Sequence, residues 1–293
     1  MRFVRPDFYD KFKCIADKCQ HSCCIGWEID VDDDSLDYYT SLDGEIGREL
    51  KENICLEPEA HFILCEDERC PFLEKNGLCK LINCLGEESL CDICAEHPRF
   101  YNYYDDREEA GLGLCCEEAV RLLLEGEGPL ILIAEGGTES DEERLREELF
   151  SVISDTRDSV GLCFAKAMEK FGTIYRSHFL SCWSDFFLQL ERLDESWTEK
   201  LLLLKEAGDG IDIVSALENN RYRRLCQYFI YRHLLNSEDY SAVMEFCILA
   251  TEIIAALDCI CGFDTEHIRL FSSEIEYSDE NLELIIEEIL KNG

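Results

Sequence analysis

The clustering of cysteines near the N-terminus is the feature that most constrains this chain. Thirteen of its nineteen cysteines lie within the first 116 residues. Residues 1–11 contain Pro6, Asp7 and Asp10, which interrupt the apolar stretch that a secretory signal needs. We therefore expect a cytoplasmic protein, in which thiols stay reduced. Clustered reduced cysteines commonly bind metal, so the sequence predicts a cysteine-ligated metal site.

The candidate ligands occur at short spacings. They form three groups: Cys14, Cys19, Cys23 and Cys24; Cys70, Cys79, Cys91 and Cys94; and Cys115 and Cys116. Short loops can place two sulfurs within about 4 Å of each other, and two such pairs complete a four-coordinate shell. A single closely spaced pair is weak evidence, but several pairs within one region favour metal binding over coincidentally buried thiols.

The spacings favour iron over zinc. Zinc ribbons repeat a C-x2-C turn, and only Cys91 and Cys94 have that form here. The number of thiols also exceeds what a single four-cysteine zinc site needs, so we favour a [4Fe–4S] cluster and keep zinc as the alternative. The C-x3-C-x2-C pattern of radical chemistry begins at Cys19 and Cys23 but fails at Gly26.

The remaining cysteines need no metal. Four lie outside the clearer spacings and are interpreted as spare thiols: Cys55, Cys65, Cys84 and Cys115. Six later ones fall mostly on apolar helix faces, where cysteine packs as a small hydrophobic residue: Cys163, Cys182, Cys226, Cys247, Cys259 and Cys261. For His21 and His97, which lie among the clustered cysteines, we favour roles near the ligands or at the surface.

Charge limits the partners of the chain. Its 64 acidic and 28 basic residues give a net charge of −36. Such a chain repels nucleic acids and anionic membrane surfaces, whereas a lysine-bearing protein would be attracted. The longest apolar run, residues 247–263, carries Glu252 and Asp258 and is too short and too polar to span a bilayer.

Helical patterning dominates the second half. A capping box at Ser140 and Glu143 opens a series of amphipathic segments. The glycine- and proline-containing segment 125–129 is the best candidate boundary. We therefore predict a mainly α fold, with a Cys-rich metal-binding region (1–125) packed on an all-α helical region (126–293).

The cysteine motifs resemble those of the flagellin lysine-N-methylases. The resemblance covers residues 14–29 and 70–99, and it extends to the Cys115–Ala119 run and to residues 273–282 near the C-terminus. By this resemblance Cys116 is the equivalent of a family thiol and joins the candidate ligands. The sequence departs from the family pattern at Glu117, His97 and Tyr277, where a proline, an aromatic residue and a histidine are common.

The resemblance implies an enzyme that transfers methyl groups from S-adenosylmethionine to lysine side chains of flagellin and carries an iron–sulfur cluster. The predicted metal ligands are Cys14, Cys19, Cys23, Cys24, Cys70, Cys79, Cys91, Cys94 and Cys116. Neither a catalytic base nor a cofactor pocket is assignable from the sequence. The alternative is a non-enzymatic iron–sulfur or zinc-binding module.

A basic patch on a predicted helix has two interpretations. It consists of Arg221, Arg223, Arg224, Arg232 and His233. Arginines there could bind the carboxylate of S-adenosylmethionine, because guanidinium groups match carboxylates in geometry. The favoured interpretation is a helix face paired with neighbouring acidic residues.

Overall fold

Helices dominate the computed structural model, which describes residues 1–292. Helix accounts for 57% and strand for 10% of the protein, which confirms the mainly α fold. The β-strands are β1 (Arg2–Pro6), β2 (Ile54–Cys55), β3 (His61–Phe62), β4 (Arg99–Tyr103), β5 (Arg107–Leu112) and β6 (Leu132–Glu135). The α-helices are α1 (Asp33–Ser41), α2 (Gly44–Glu52), α3 (Lys80–Leu85), α4 (Asp92–Glu96), α5 (Glu117–Glu125), α6 (Asp141–Ser154), α7 (Val160–Glu169), α8 (Leu180–Phe187), α9 (Glu195–Ala207), α10 (Val214–Leu217), α11 (Asn220–His233), α12 (Tyr240–Cys261), α13 (Thr265–Phe271) and α14 (Asp279–Asn292).

Short turns of other helical types complete the elements. Single 3-10 turns lie at Tyr9–Lys11, Ala16–Lys18, Glu66–Glu68, Glu87–Ser89, Gly208–Gly210 and Leu234–Asn236. A π-helical turn, Ser272–Glu276, follows α13 directly. None of the helices within residues 1–292 is both long and apolar enough to cross a membrane.

The chain divides into two compact units. The smaller unit comprises Lys13–Phe100, and the larger unit combines Met1–Phe12 with the chain from Tyr101 onward. The boundary predicted at residues 125–126 therefore lies inside the larger unit. The N-terminal strand explains the difference, because β1 pairs with strands from both sides of that boundary.

The larger unit contains a four-stranded sheet with the strand order β4-β5-β1-β6. Strand β1 runs parallel to β5, with Val4 opposite Glu109, and antiparallel to β6, with Val4 opposite Ala134. Strand β6 lies within the region predicted to be all-α, so that prediction is wrong at residues 132–135. A short apolar run becomes a strand only when a partner is available, and here the partner is β1 at the N-terminal end of the chain.

Helices α11 and α12 form the centre of the larger unit. Most residues of both helices are buried. The Tyr231 hydroxyl of α11 donates to the carbonyl oxygens of Val4 and Ala110, at 3.1 and 2.8 Å, and so joins the helices to the sheet. The predicted capping box is present at the start of α6, where Ser140 and Glu143 each accept a hydrogen bond from the other's backbone N–H. After β6, the described chain contains helices and connecting segments only.

The smaller unit has its own apolar core. Its largest buried side chains include Tyr39, Phe62 and Phe72, and the rings of Phe62 and Phe72 meet edge to face at 5.0 Å. The Tyr39 hydroxyl donates to the carbonyl oxygen of Ser89 at 2.6 Å, which satisfies its polar end inside the core. Cysteine side chains complete this core.

Candidate metal centre

Five of the predicted ligands share one apolar core in the smaller unit. The side chains of Cys70 and Cys91 are buried in it, at 7% and 0% exposure, and those of Cys24, Cys79 and Cys94 pack against it. The structure thus brings together one thiol of the first sequence group and all four thiols of the second. We refer to these five residues as the thiol core.

Backbone pairing joins the two sequence groups. The N–H of Cys70 donates to the carbonyl oxygen of Cys24 at 2.8 Å. Next to this bond, Ile25 bridges Arg69 in antiparallel fashion, and one residue further the N–H of Gly26 donates to the carbonyl oxygen of Glu68. The first group is therefore held against the start of the second by a short stretch of sheet-like pairing.

Backbone N–H groups point at three of these sulfurs. The thiols of Cys70 and Cys79 each accept from the N–H groups two and three residues further along the chain. The thiol of Cys91 accepts from the N–H of Cys94, three residues on. Amide hydrogen bonds of this kind stabilise the thiolate form and tune metal-bound cysteine sulfurs. The turns that follow these cysteines are thus suited to hold thiolates.

The thiols also affect one another electrostatically. Burial raises the pKa of Cys70 to about 12, and nearby Cys24 and Cys79 add to the effect. A hydrogen bond between the side chains of Cys91 and Cys94 lowers the pKa of Cys91 and raises that of Cys94. The raised pKa values favour the protonated thiols of Cys70 and Cys94, and a bound metal cation is the group that would stabilise their thiolate forms. The donor set therefore matches a metal site in its chemistry, although the described side chains are not arranged in metal-binding geometry.

Asp32 fixes the position of the last pair. One carboxylate oxygen accepts from the N–H of Ser35, which caps α1, and the other accepts from the N–H of Asp92. Both hydrogen bonds are 2.8 Å long. Because Asp92 follows Cys91 directly, a single carboxylate ties the start of α1 to the turn that carries Cys91 and Cys94.

The other predicted ligands lie outside the thiol core. Cys14 is exposed, Cys19 is half-buried, and the Cys23 side chain forms a hydrogen bond that lowers the pKa of Cys24 to about 7. Cys116 belongs to the larger unit, where it precedes α5. Among the described residues, no group of three or more His, Cys, Asp or Glu side chains is arranged with metal-binding geometry.

The histidine next to the second group is held neutral. Burial lowers the pKa of His97 to about 4, and its ring lies 5.8 Å from that of Trp27. A neutral imidazole packed on an indole ring suits a residue that borders the thiol core.

Two distant resemblance motifs meet in the larger unit. The Tyr277 hydroxyl forms a hydrogen bond with the Cys115 thiol, and burial raises the pKa of that thiol to about 12. A Cβ on Gly113 would lie only 1.9 Å from the Tyr277 hydroxyl oxygen, so glycine is required for this contact. The spacing of the cysteines predicts Cys115 to be a spare thiol. The signal in the sequence that points to this contact is that both motifs carry the family resemblance.

Charged groups from the basic patch border this contact. The Arg232 guanidinium lies 4.7 Å from the centre of the Tyr277 ring, and Nε2 of His233 lies 2.7 Å from Oε1 of the fully buried Glu276. Burial alone would raise the pKa of Glu276, but Arg232 and His233 outweigh it and lower that pKa. We refer to Cys115, Tyr277, Arg232, His233 and Glu276 together as the C-terminal cluster.

Two other arginines of the basic patch bind the protein itself. The Arg223 guanidinium donates to the carbonyl oxygens of Ile153 and Asp158, at 2.8 and 2.9 Å. The Arg224 guanidinium donates to the carbonyl oxygens of Leu123 and Pro129, at 2.7 and 2.8 Å. Each arginine also pairs with an acidic side chain, as the favoured interpretation of the patch expects. Arg223 pairs with Glu218 at 3.2 Å, and Arg224 pairs with Asp7 at 2.6 Å.

The fold and the thiol core describe a mainly helical protein with a cysteine-rich core in its smaller unit. Comparison with known proteins finds sequence similarity over part of the chain. The chain is similar to "Flagellar biosynthetic protein FliU" of Salmonella muenchen, with 28% identity over 128 residues, which are 41% of this chain and 76% of that protein. Two proteins named "Lysine-N-methylase", from Salmonella typhimurium and Salmonella choleraesuis, are each 27% identical over 128 residues. That segment is 41% of this chain and 32% of theirs, so it spans about a third of each lysine-N-methylase.

These similarities confirm the resemblance to the flagellin lysine-N-methylases that the motifs indicated. No protein-family profile matches the chain. No solved structure matches it either.

Proposed function

We propose that this protein is a protein lysine N-methyltransferase that uses S-adenosylmethionine, acts on flagellin in the cytoplasm, and holds an iron–sulfur cluster in its thiol core. The observation that carries the proposal is the similarity to two proteins named lysine-N-methylase and to a flagellar biosynthetic protein. The thiol core supports the cofactor part, because it gathers residues from two of the resembling motifs.

The cluster ligands would come from the thiol core. Cys24, Cys70, Cys79, Cys91 and Cys94 offer one thiol more than a four-cysteine cluster needs. Cys91 and Cys94 are the firmest candidates, since they form a C-x2-C turn and Asp32 anchors that turn. A bound cluster would supply positive charge that keeps these sulfurs ionised and links the turns of the core.

The proposed chemistry is a displacement at a methyl group. The lysine nitrogen lone pair forms the new N–C bond as the S–CH₃ bond of the sulfonium breaks, and S-adenosylhomocysteine leaves as a neutral thioether. The attacking amine must be neutral, although a free lysine side chain has a pKa near 10.4. Desolvation in a pocket lowers that pKa, and a nearby base or solvent accepts the proton.

The charge of the chain favours a lysine-bearing substrate. With a net charge of −36, the protein attracts cationic segments over a Debye length of about 8 Å at physiological salt. Association with such a substrate should therefore weaken as the salt concentration rises.

The test is methyl transfer by the full chain, purified anaerobically. The protein is incubated with flagellin and S-adenosylmethionine labelled in its methyl group, and modified residues are mapped by mass spectrometry. Label on flagellin lysines, lost in Cys91→Ser and retained in the exposed-thiol control Cys84→Ser, is the expected result. Absence of label on any lysine, with metal-replete protein and a folded control, would overturn the enzymatic proposal.

A second candidate is a non-enzymatic metal-binding module. It is favoured by the burial of Cys70 and Cys91 at the centre of an apolar core, where bound metal would serve folding alone. This candidate predicts metal in the purified protein together with neither S-adenosylmethionine binding nor methyl transfer.

A further inference from the structure

A cavity of about 230 Å³ lies in the larger unit, where the start of α11 meets the end of α12. Its lining includes Arg221 and Tyr222 from α11, Asp258 and Cys259 from α12, and Phe263 just beyond. It thus combines one cationic, one anionic and two aromatic side chains. Such a volume is below the roughly 300–1,000 Å³ of pockets that enclose a whole drug-sized ligand, so it suits part of a molecule.

Arg221 differs from the other arginines of the basic patch. Its guanidinium stacks on the Phe263 ring at 3.9 Å and lies 5.9 Å from the centre of the Tyr222 ring. Unlike the guanidinium groups of Arg223 and Arg224, that of Arg221 makes no hydrogen bond or ion pair with any protein group that the structure describes. A guanidinium held flat on a ring keeps its N–H edge available, and this edge matches a carboxylate in two parallel hydrogen bonds.

Asp258 is held rigidly in the same lining. Its carboxylate accepts from the Tyr222 hydroxyl at 2.6 Å and from Nδ1 of His267 at 2.6 Å. The N–H of Asp264 donates to it at 3.2 Å. A carboxylate has about four acceptor positions, so one more donor, such as an ammonium group, can be accommodated. The side chain is 4% exposed, so water competes weakly for that position.

We infer that this cavity binds an α-amino acid group, with the carboxylate on Arg221 and the ammonium on Asp258. This inference rests on the proposed function, in which the ligand is the methionine end of S-adenosylmethionine. The rings of Tyr222 and Phe263 border the same space and are suited to a neighbouring sulfonium, because aromatic faces attract cations. The adenosine part would lie outside the cavity.

Calorimetric titration of the full, metal-replete chain tests this assignment. S-adenosylmethionine, free methionine and adenosine are titrated separately into the wild type and into Arg221→Gln. Loss of a charged, paired contact should weaken the binding of S-adenosylmethionine and of methionine by at least about tenfold. Any binding of adenosine should be unchanged. Arg176→Gln, at an exposed arginine, is the matched control and should bind like the wild type.

A cysteine-labelling experiment provides a second measurement of ligand binding that does not depend on activity. Cys259 lines the cavity and is exposed, so a maleimide should modify it more slowly when S-adenosylmethionine is bound. Exposed Cys182 on α8 should show no protection. If Arg221→Gln does not fold, Phe263→Ala replaces it, because removing the half-exposed ring frees the guanidinium and should also weaken binding.

The outcomes separate the two proposals. Unchanged S-adenosylmethionine affinity in Arg221→Gln, without protection of Cys259, overturns the cavity assignment and leaves the proposed function standing. A wild-type protein that binds methionine at Arg221 but not S-adenosylmethionine supports an amino acid site and contradicts the methyltransferase. A wild-type protein that binds neither ligand contradicts both proposals.

Discussion

The backbone N–H of Cys70 donates a 2.8 Å hydrogen bond to the carbonyl oxygen of Cys24, although the two residues belong to separate cysteine groups of the sequence. This bond aligns the two chain segments so that both side chains reach the same apolar core. A buried hydrogen bond between backbones is fixed by the fold and is independent of side-chain chemistry. The backbone of the smaller unit therefore brings the two cysteine groups together.

Replacing a thiol of the anchored turn should remove the metal. We expect Cys91→Ser and Cys94→Ser each to lose most of the bound metal and to become less soluble, because ligation contributes directly to folding. Cys84→Ser, at an exposed thiol of the same unit, should keep the wild-type metal content. Metal analysis of the anaerobically purified variants checks this prediction. Equal metal content in all three variants would show that the thiols of this turn do not bind the metal.

Removing the Asp32 carboxylate should loosen the same turn. Asp32→Ala loses a helix cap and a second hydrogen bond to the N–H of Asp92, and we expect a loss of about 1–2 kcal/mol in unfolding free energy. Burial raises the pKa of Asp32, but backbone N–H groups outweigh it and lower that pKa. The stabilisation is therefore present above the ordinary aspartate pKa near 3.9 and is lost as pH falls through the lower folded value. Denaturant unfolding should show Asp37→Ala, at an exposed position of α1, close to the wild type.

The larger unit should lose stability at alkaline pH, as the buried His178 loses its proton. Its ring lies 2.6 Å from the buried Glu252 carboxylate and 3.5 Å from that of Glu245. Burial lowers the pKa of His178, but the two carboxylates outweigh it and raise the pKa to about 9. The ordinary histidine value is about 6.5, so the stabilisation is complete below that pH and is lost as pH rises through 9.

The expected size of this effect is about 3 kcal/mol between pH 6.5 and 9, measured as the difference in unfolding free energy between the wild type and His178→Asn. His61→Asn, in the smaller unit, provides the comparison. A difference between the wild type and His178→Asn that stays constant over this pH range would show that folding leaves the pKa of His178 unchanged.

Arg224 should act in folding and not in ligand binding. Its buried guanidinium satisfies the carbonyl oxygens of Leu123 and Pro129 and pairs with Asp7 at 2.6 Å. Arg224→Gln leaves these acceptors and the carboxylate without their charged partner, so we expect a loss of about 3–5 kcal/mol in stability. Thermal unfolding measures the loss, and S-adenosylmethionine affinity of the folded fraction should be unchanged. Weakened affinity at full stability would assign Arg224 to the cofactor site instead.

Local signals in the sequence predicted local structure well. The capping box at Ser140 and Glu143 and the helical periodicity after it depend on residues within a turn or two of each other, and the structure contains these helices. The mainly α class follows from the same local patterns. The pairing of β1 with β6 depends on residues that are distant in sequence, so no local pattern indicated it.

The candidate sites show the same limit. Spacing identified the cysteines of the thiol core but could not show that Cys24 reaches this core while Cys14 stays exposed, because that depends on the pairing near Cys70. The contact between Cys115 and Tyr277 joins segments far apart in sequence, and neither residue is unusual in its own segment. Such contacts arise from tertiary packing, which composition and periodicity do not encode.

The metal content of the anaerobically purified chain tests the central claim most directly, because the cluster, the thiol core and the family resemblance all depend on it. The measurement combines the visible absorption spectrum with iron, zinc and acid-labile sulfide per chain. The account predicts a coloured protein with about four iron and four sulfide per chain, which Cys91→Ser reduces to near zero. A colourless protein with neither iron nor zinc would contradict it, and one zinc per chain without sulfide would replace the iron–sulfur cluster by a zinc site.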